Sequence, residues 1–195
     1  MQKIALTGNI ASGKSQVESF IRAFNIPVID ADEIVLKLYC NADFVKKMSE
    51  KFCNYDFIEN NTINRKKLAD IVFSDIEFKN SLEKFVHPLV FEEIEKFFAQ
   101  NTQKPCVVAS VPLLFECGFQ NNFDKIILVT AALEIREKRL MTRNNLTSEQ
   151  AKTRIISQMP QEKKINRADF VIENNGSLDE LEQKVKNLME QLNAG

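Results

Sequence analysis

The segment Gly8–Ser15 fits the pattern G-x-x-x-x-G-K-[ST], which constrains the fold more than any other feature of the chain. It follows the apolar run Ile4–Leu6, and the residues after it carry apolar side chains at helical spacing. A buried strand, a tight loop and an amphipathic helix in that order form a cradle for phosphate groups. Loop N–H groups and the helix N-terminus point partial positive charge at an anion. We therefore expect the loop to bind a nucleoside triphosphate.

Each residue type in this phosphate loop has a physical reason. Gly8 and Gly13 permit backbone angles and close approaches that side chains would obstruct. Lys14 adds a full positive charge between the β- and γ-phosphates, and the Ser15 hydroxyl is placed to ligate Mg²⁺. We assign nucleotide binding to the loop and the start of its helix, at Gly8, Ala11, Ser12, Gly13, Lys14, Ser15 and Gln16.

The composition is typical of a soluble globular protein and argues against several other functions. The 195 residues are 27% charged and 44% hydrophobic, and the net charge of −1 creates no field that would attract nucleic acid or an anionic membrane. No segment approaches the roughly 18 consecutive apolar residues of a membrane span, and the first apolar run is too short for a signal peptide. One histidine and no C-x-x-C spacing argue against a zinc site and a disulfide framework. We expect a cytoplasmic protein with free thiols at Cys40, Cys53, Cys106 and Cys117.

Strands and helices alternate along the chain. Apolar runs predict strands at 4–6, 28–30, 106–111, 125–129 and 170–172. Helical periodicity dominates from 33 to about 100, with a turn at Asn60-Asn61 and a kink or interruption at Pro88. Capping side chains predict helix starts at Asn64, Thr147 with Gln150, and Ser177 with Glu180. This order predicts a five-stranded parallel sheet between helices, an α/β fold with three α/β/α layers.

Two acids, Asp30 and Asp32, follow the second predicted strand. Ligands gather at the carboxyl ends of parallel strands, so these carboxylates are expected near the transferred phosphate. One of them could accept a proton from an attacking hydroxyl or hold Mg²⁺ through water. The alternative is helix capping, since Asp is a favoured N-cap and a helix starts here. Beside a phosphate loop we favour the functional interpretation, although chemistry alone does not separate Asp30 from Asp32.

Three arginines, Arg136, Arg139 and Arg143, are spaced to share one face of a helix. Guanidinium groups suit triphosphate oxygens because they form bidentate contacts and balance charge that builds up in phosphoryl transfer. The alternative is a solvated basic face. Residues 136–167 are the most basic stretch of the chain, and a basic segment near a nucleotide site is typical of a lid. Its further basic residues include Lys138, Arg154, Lys163, Lys164 and Arg167.

Two further segments carry chemistry-bearing side chains. His87 precedes Pro88 on an apolar helical face, where a histidine is more often structural than functional. Glu116 ends the segment Val111–Glu116, just beyond the carboxyl end of a predicted strand. A functional acid and an ordinary loop acid are equally consistent with that position.

Taken together, these segments resemble the dephospho-CoA kinase family. The matching elements follow the family's order over nearly the whole chain, and the D-A-D, H-P and V-P-L-L elements are together highly specific. They are Leu6–Ser15, Val28–Asp32, Phe85–Pro88, Val111–Glu116, Arg139 with Arg143, Arg154-Ile155 with Gln158, and Ala168–Gly176.

The phosphate loop departs from the family pattern at three positions. The family loop usually has glycine, glycine and threonine where this chain has Asn9, Ala11 and Gln16. Asparagine tolerates left-handed backbone angles, whereas Ala11 fits without strain only if its φ is negative. The roles of Lys14 and Ser15 are unaffected.

The resemblance implies a P-loop kinase core with two additions. The nucleotide-binding core comprises 1–32, 101–135 and 168–195. A helical substrate domain for the CoA moiety spans 33–100, and a lid spans 136–167. We expect a monomer or a weak homo-oligomer.

The resemblance also implies the reaction. ATP, with Mg²⁺, would phosphorylate the ribose 3′-hydroxyl of dephospho-CoA to give coenzyme A and ADP. Asp32 would be the base, and Arg139 and Arg143 would bind phosphates, with Lys14 and Arg139 assisting transfer. The small-molecule partner is then dephospho-CoA.

Two other functions share the phosphate loop. Another P-loop kinase, acting on a nucleoside, a nucleoside monophosphate or a small hydroxy acid, would have the same phosphate chemistry. An NTP-dependent switch module would hydrolyse nucleotide slowly and ignore an acceptor alcohol. A GTPase is expected to carry N-K-x-D, which the sequence lacks.

Overall fold

A computed structural model describes residues 1–193 and contains a five-stranded sheet. The strands are β1 (Gln2–Gly8), β2 (Val28–Asp30), β3 (Ile58–Glu59), β4 (Thr62–Ile63), β5 (Cys106–Ser110), β6 (Lys125–Thr130) and β7 (Phe170–Glu173). The sheet order is β2-β5-β1-β6-β7, while β3 and β4 form a separate antiparallel pair. β1 pairs in parallel with both β5 and β6, and β6 pairs in parallel with β7. The predicted five-stranded parallel sheet is confirmed.

Helices connect these strands. They are α1 (Lys14–Ala23), α2 (Ala31–Tyr39), α3 (Ala42–Lys51), α4 (Arg65–Ser74), α5 (Ile76–Gln100), α6 (Leu133–Asn144), α7 (Ser148–Ile156), α8 (Gln161–Ile165) and α9 (Leu178–Asn193). None of the helices in residues 1–193 is long and apolar enough to cross a membrane.

The central strands are buried on both faces. Ile4, Leu6 and Ile127 have no exposed surface, and they share one core cluster with Val17 of α1 and Val185 of α9. Continuous apolar strands of this kind are stable only when helices cover the sheet, which is why runs such as 106–110 predict interior parallel strands. This core fixes β1, and so it fixes the start of the phosphate loop.

The chain divides into two compact units. One consists of Met1–Ile29 with Phe98–Gly195, and it contains most of the sheet. The other, Asp30–Phe97, is the helical unit. Its interior is aromatic: the Phe78 ring centroid lies 5.1 Å from that of Phe52 and 4.4 Å from that of Tyr55.

Local signals predict most helix starts correctly. Asn64 caps α4 through its side chain, and Thr147 with Gln150 forms the predicted capping box of α7. That helix ends at Ile156. α5 continues through Pro88 without interruption.

The hairpin β3–β4 was not predicted as a pair of strands. Its turn is the predicted Asn60-Asn61, and both residues are left-handed, with φ of 50° and 59°. A two-residue hairpin turn of type I′ needs positive φ at both positions, which asparagine tolerates.

Candidate active site

The phosphate loop leaves β1 and enters α1 through Gly13. Gly13 is the N-cap of α1, with φ 96° and ψ 20°, and it has no side chain to accept the first N–H groups of the helix. Helix N-termini require acceptors for these groups. A bound anion can take the capping role here, which is the chemistry that the loop pattern predicts.

Packing explains why glycine is needed at both ends of the loop. A Cβ atom on Gly8 would lie 2.6 Å from Ser12 Oγ and 2.8 Å from the Val129 carbonyl oxygen. A Cβ atom on Gly13 would collide with the side-chain amide of Asn174. The two glycines therefore permit the close approach that the sequence predicts: Ser12 and Val129 lie against Gly8, and Asn174 lies against Gly13.

Three carbonyl groups of the loop accept hydrogen bonds from side chains outside it. The donors are two arginines of α6 and the asparagine that follows β7. The bonds are Arg136 Nε to Ile10 O (3.0 Å), Arg139 Nη1 to Ala11 O (3.4 Å) and Ser12 O (3.3 Å), and Asn174 Nδ2 to Ser12 O (2.8 Å). The negative ends of these peptide dipoles are thus engaged by donors instead of facing a bound anion.

Ala11 adopts the left-handed conformation, with φ 61°. The condition for a strain-free alanine, a negative φ, is therefore not met, and the cost is about 1–2 kcal/mol. Ile10 and Ala11 pack against an apolar cluster formed by Leu140, Ala151 and Ile155. Burial in this cluster offsets part of the strain.

Asn9 does not use its tolerance for left-handed angles, because its φ is not positive. Its side-chain Nδ2 instead donates to the Met159 carbonyl oxygen at 2.8 Å. The next residue, Ile10, donates its backbone N–H to Gln158 Oε1 at 2.7 Å. These contacts tie the tip of the loop to the segment that follows α7.

Lys14 lies at the carboxyl end of the central strands. Its ammonium group donates to Ser110 Oγ at the end of β5 and lies 3.8 Å from Glu18 Oε2. Ser15 follows on α1 and is exposed. Ser12 Oγ is buried with no hydrogen-bond partner within residues 1–193. A buried hydroxyl without a partner fits the oxygen of a phosphate group, since buried polar atoms normally find one.

The three arginines of α6 differ in exposure along the helix. Arg136 is 4% exposed, and burial lowers the pKa of its guanidinium group. Arg139 is half-buried, and Arg143 is exposed and donates to Asn144 Oδ1 at 3.0 Å. The structure brings Arg136 and Arg139 to the phosphate loop, whereas the bond of Arg143 is to its neighbour.

Within the helical unit, Asp30 and Asp32 differ in role. Asp30 is the N-cap of α2, and its Oδ1 accepts from the backbone N–H of Asp32 at 2.7 Å and of Glu33 at 3.2 Å. Asp32 lies in the first turn with an exposed side chain. Helix capping therefore explains Asp30, and it does not explain Asp32.

Glu116 forms an ion pair with Lys164, at 2.7 Å between Oε1 and Nζ. Lys164 is fully buried, and the same Glu116 oxygen accepts from the Met159 backbone N–H at 3.4 Å. Only the lysine of this pair is buried, because Glu116 is exposed, so loss of Glu116 would leave a buried charge without its partner. The pair holds the segment after β5 to the basic segment, a role that the sequence left open for Glu116.

His87 is half-buried on α5. Burial lowers its pKa, and the nearby Glu83 opposes this shift. The lowered pKa favours the neutral form of the imidazole.

Comparison with known proteins finds relatives along the whole chain. Residues 2–180 match the family described as CoaE: Dephospho-CoA kinase. The dephospho-CoA kinase of Lactobacillus acidophilus is 40% identical over 194 residues, which cover 95% of this chain and 94% of that protein.

Two solved structures are similar to this chain over nearly its whole length. The crystal structure of TT1252 from Thermus thermophilus is similar with a TM-score of 0.85 and 36% identity, covering 98% of this chain and 97% of that one. Dephospho-CoA kinase from Campylobacter jejuni has a TM-score of 0.69 and 28% identity, covering 100% of this chain and 98% of that one.

Proposed function

We infer from its membership of the dephospho-CoA kinase family, to which this chain belongs, that it phosphorylates the ribose 3′-hydroxyl of dephospho-CoA. The chain is a dephospho-CoA kinase: it uses ATP and carries out the last step of coenzyme A biosynthesis. The observation that best supports the chemistry is the phosphate loop, whose carbonyl groups are engaged by Arg136, Arg139 and Asn174.

ATP is proposed to bind with its phosphates on this loop. The N-terminus of α1 and the Lys14 ammonium group supply positive charge for the β- and γ-phosphates, and Ser12 Oγ is a further donor. Positive charge that is already positioned stabilises the transition state without a reorganisation cost. Arg139 adds a guanidinium group beside the loop and balances charge as the γ-phosphoryl group transfers.

Asp32 is the proposed base. As the 3′-oxygen of dephospho-CoA attacks the γ-phosphorus, its proton passes to the Asp32 carboxylate, and the electron pair of the broken P–O bond leaves with ADP. The assignment is supported by two observations. The family motif matches at Asp32, and Asp30 is already used as the cap of α2.

Mg²⁺ is the proposed metal, with Ser15 as its protein ligand. Within residues 1–193, no group of three or more histidine, cysteine, aspartate or glutamate residues could hold a metal ion. Mg²⁺ commonly binds through one or two protein oxygens, substrate phosphates and water. A single serine oxygen together with the ATP phosphates therefore fits this ion. The bound ion would neutralise phosphate charge.

Ser15→Ala tests the metal assignment. Removal of one inner-sphere oxygen should raise the Mg²⁺ concentration for half-maximal activity several-fold, while saturating Mg²⁺ restores most of the turnover. Ser19→Ala, on the same helix and exposed, is the matched control. Unchanged Mg²⁺ dependence in Ser15→Ala would contradict the assignment.

The basic segment is the proposed lid, spanning 136–167, and residues 33–100 are the proposed substrate domain. Arg143, one turn beyond Arg139, is proposed to bind ATP phosphates when the lid closes. A cytoplasmic location is part of the proposal, supported by the four cysteines, none of which forms a disulfide within residues 1–193.

The central experiment compares Asp32→Asn with Asp30→Asn. Asparagine keeps the size and hydrogen-bonding capacity of aspartate but is not a proton acceptor of comparable basicity. For Asp32→Asn we expect kcat with dephospho-CoA to fall about 10²–10⁴-fold, with ATP affinity little changed. For Asp30→Asn we expect a parental melting temperature, because asparagine caps a helix as well as aspartate. Near-parental turnover of Asp32→Asn would move the base to Asp30.

A panel of acceptor alcohols tests the reaction itself. ADP release is measured with dephospho-CoA, a nucleoside monophosphate and a small hydroxy acid as acceptors. Of the three acceptors, we expect only dephospho-CoA to give efficient ADP release. Faster release with another acceptor would favour a different small-molecule kinase, and release independent of any acceptor would favour a switch module.

A further inference from the structure

Asn174 is buried at the carboxyl edge of the sheet, although asparagine is usually exposed. It is the first residue after β7 and is 5% exposed. Its backbone N–H donates to the Thr130 carbonyl oxygen at 2.8 Å. The backbone of Asn174 is therefore positioned by the end of β6, independently of the contacts of its side chain.

Both ends of the Asn174 side-chain amide are hydrogen-bonded. Nδ2 donates to Ser12 O at 2.8 Å, and Oδ1 accepts from Arg139 Nη2 at 3.3 Å. The Asn174 backbone carbonyl accepts from the same nitrogen at 3.2 Å. A flipped amide would place oxygen against a carbonyl and NH₂ against a guanidinium group, so only one orientation satisfies every group.

The bonds to Ser12 O, from Asn174 Nδ2 at 2.8 Å and from Arg139 Nη1 at 3.3 Å, determine the direction of a neighbouring donor. In a trans peptide the C=O and N–H groups lie in one plane and point in opposite directions. With the Ser12 carbonyl drawn towards Asn174, the Gly13 N–H points away from Asn174. Gly13 has φ 96°, which side-chain-bearing residues rarely adopt, and a Cβ there would collide with Asn174. The glycine and the asparagine thus specify the same peptide orientation.

We propose that Asn174 is a positioning residue for the phosphate loop, which keeps the Ser12–Gly13 peptide oriented with its N–H towards the bound polyphosphate. The proposal rests on the function proposed above, and it assigns to Asn174 an action through the loop and no contact with substrate. Loss of the side-chain amide removes the shorter bond to Ser12 O and one acceptor of Arg139, the other donor to that oxygen. The peptide can then rotate and turn a carbonyl oxygen towards the anion.

The test separates the phosphates from the nucleoside. The inhibition constant of Mg²⁺-tripolyphosphate, which has no nucleoside, is measured together with the ATP Kd for Asn174→Leu. We expect both affinities to fall by the same factor, about tenfold or more. kcat should fall as well, with KM for dephospho-CoA unchanged. Asn175→Leu is the matched control, because its side chain accepts from the Ala132 N–H outside the loop, and its tripolyphosphate inhibition should be parental.

Asn174→Asp guards against a variant that fails to fold. It keeps the size of the side chain and the acceptor for Arg139, and it removes the donor to Ser12. Measured at high salt, which screens the added charge, it should also lose tripolyphosphate affinity.

Weaker ATP binding with unchanged tripolyphosphate inhibition would show a nucleoside contact and overturn the proposal. A lower melting temperature with both affinities unchanged would show a packing role and also overturn it. Tripolyphosphate inhibition needs no knowledge of the acceptor, so it is independent of the acceptor panel.

Discussion

The phosphate loop and the helical unit are organised by opposite kinds of contact. The loop is shaped by polar side chains that lie far away in sequence, as in the bonds of Arg136 to Ile10 and Asn174 to Ser12, which join residues 126 and 162 positions apart. The helical unit is shaped by its own neighbours. Its helices are capped by the adjacent side chains Asp30, Asn41 and Asn64.

The two kinds of contact contribute differently: those of the loop orient individual groups, and those of the helical unit stabilise the fold. The bonds to the loop are single directed contacts, and each contributes modestly to the free energy of unfolding. The helical unit depends on buried aromatic area, which contributes more to stability and little to the direction of any one group. Substitutions in the loop should therefore change function more than stability, and substitutions in the aromatic cluster should do the reverse.

Phe78→Ala is the strongest test of that separation. Phe78 is 2% exposed and contacts Phe52, Tyr55 and Phe57. Removal of a buried phenylalanine ring costs about 3–5 kcal/mol of unfolding free energy. Urea denaturation should show this loss, while the ATP Kd of the folded fraction stays within about twofold of the parent.

Phe73→Ala is the matched control for Phe78→Ala. Phe73 belongs to the same unit but is 90% exposed, so its removal should change the urea midpoint very little. If Phe78→Ala weakened ATP binding as strongly as it lowers stability, the two regions would be coupled and the comparison would fail.

Lys14→Ala tests the other side of the comparison. The lysine places positive charge where negative charge accumulates, an effect worth about 3–4 kcal/mol in such sites. We expect turnover to fall about 10²–10³-fold with little change in melting temperature. Lys138→Ala, an exposed lysine on α6, serves as the control. Turnover of Lys14→Ala within about tenfold of the parent, a change of only ~1.4 kcal/mol, would contradict the assigned role.

The smallest expected effect is a pH dependence in the helical unit. Asp75 accepts from the Phe78 N–H and the Tyr55 hydroxyl, and these bonds, the first above all, lower the pKa of its carboxyl group. A lowered folded-state pKa gives stability that is present above the unfolded pKa, about 3.9, and is lost as pH falls through the folded value. The urea midpoint of the parent should therefore decline below about pH 4.

Asp75→Asn should flatten this decline, because asparagine does not titrate. Its amide oxygen can still accept from the Phe78 N–H, and its NH₂ group can donate to the Tyr55 hydroxyl oxygen. Asp70→Asn, an exposed aspartate on α4, should leave the decline as it is in the parent. An undiminished decline in Asp75→Asn would assign the acid sensitivity to other carboxyl groups.

Local sequence patterns predict the features that are determined locally. The strands of the sheet are continuous apolar runs, and the phosphate loop is a pattern of eight residues, so both can be read from short windows. Capping side chains such as Asn64 and Thr147 lie next to the N–H groups that they bind, which is why these helix starts were predicted. The hairpin β3–β4 has two residues in each strand, too few for an alternating pattern.

The contacts that shape the loop could not be predicted in the same way. Nothing near Asn174 in sequence indicates that its amide binds Ser12, and nothing near Glu116 indicates that its partner is Lys164. The two residues of each pair are distant in sequence, and they meet only because the parallel strands β5, β6 and β7 end at the same edge of the sheet. The spacing of Arg136 and Arg139 did indicate a shared helix face, but only the packing of α6 shows that the loop carbonyls are their acceptors.

The left-handed alanine of the loop has a consequence for its conformational entropy. Alanine in place of glycine removes accessible backbone states from the unfolded chain, worth about 0.4–1 kcal/mol, which offsets part of the strain of φ 61° at Ala11. The two terms oppose each other in the free energy of unfolding, whereas the restriction that alanine places on the backbone remains in the folded loop. With alanine and asparagine where the family pattern has glycine, the ligand-free loop samples fewer shapes, and less disorder is lost when a polyphosphate binds.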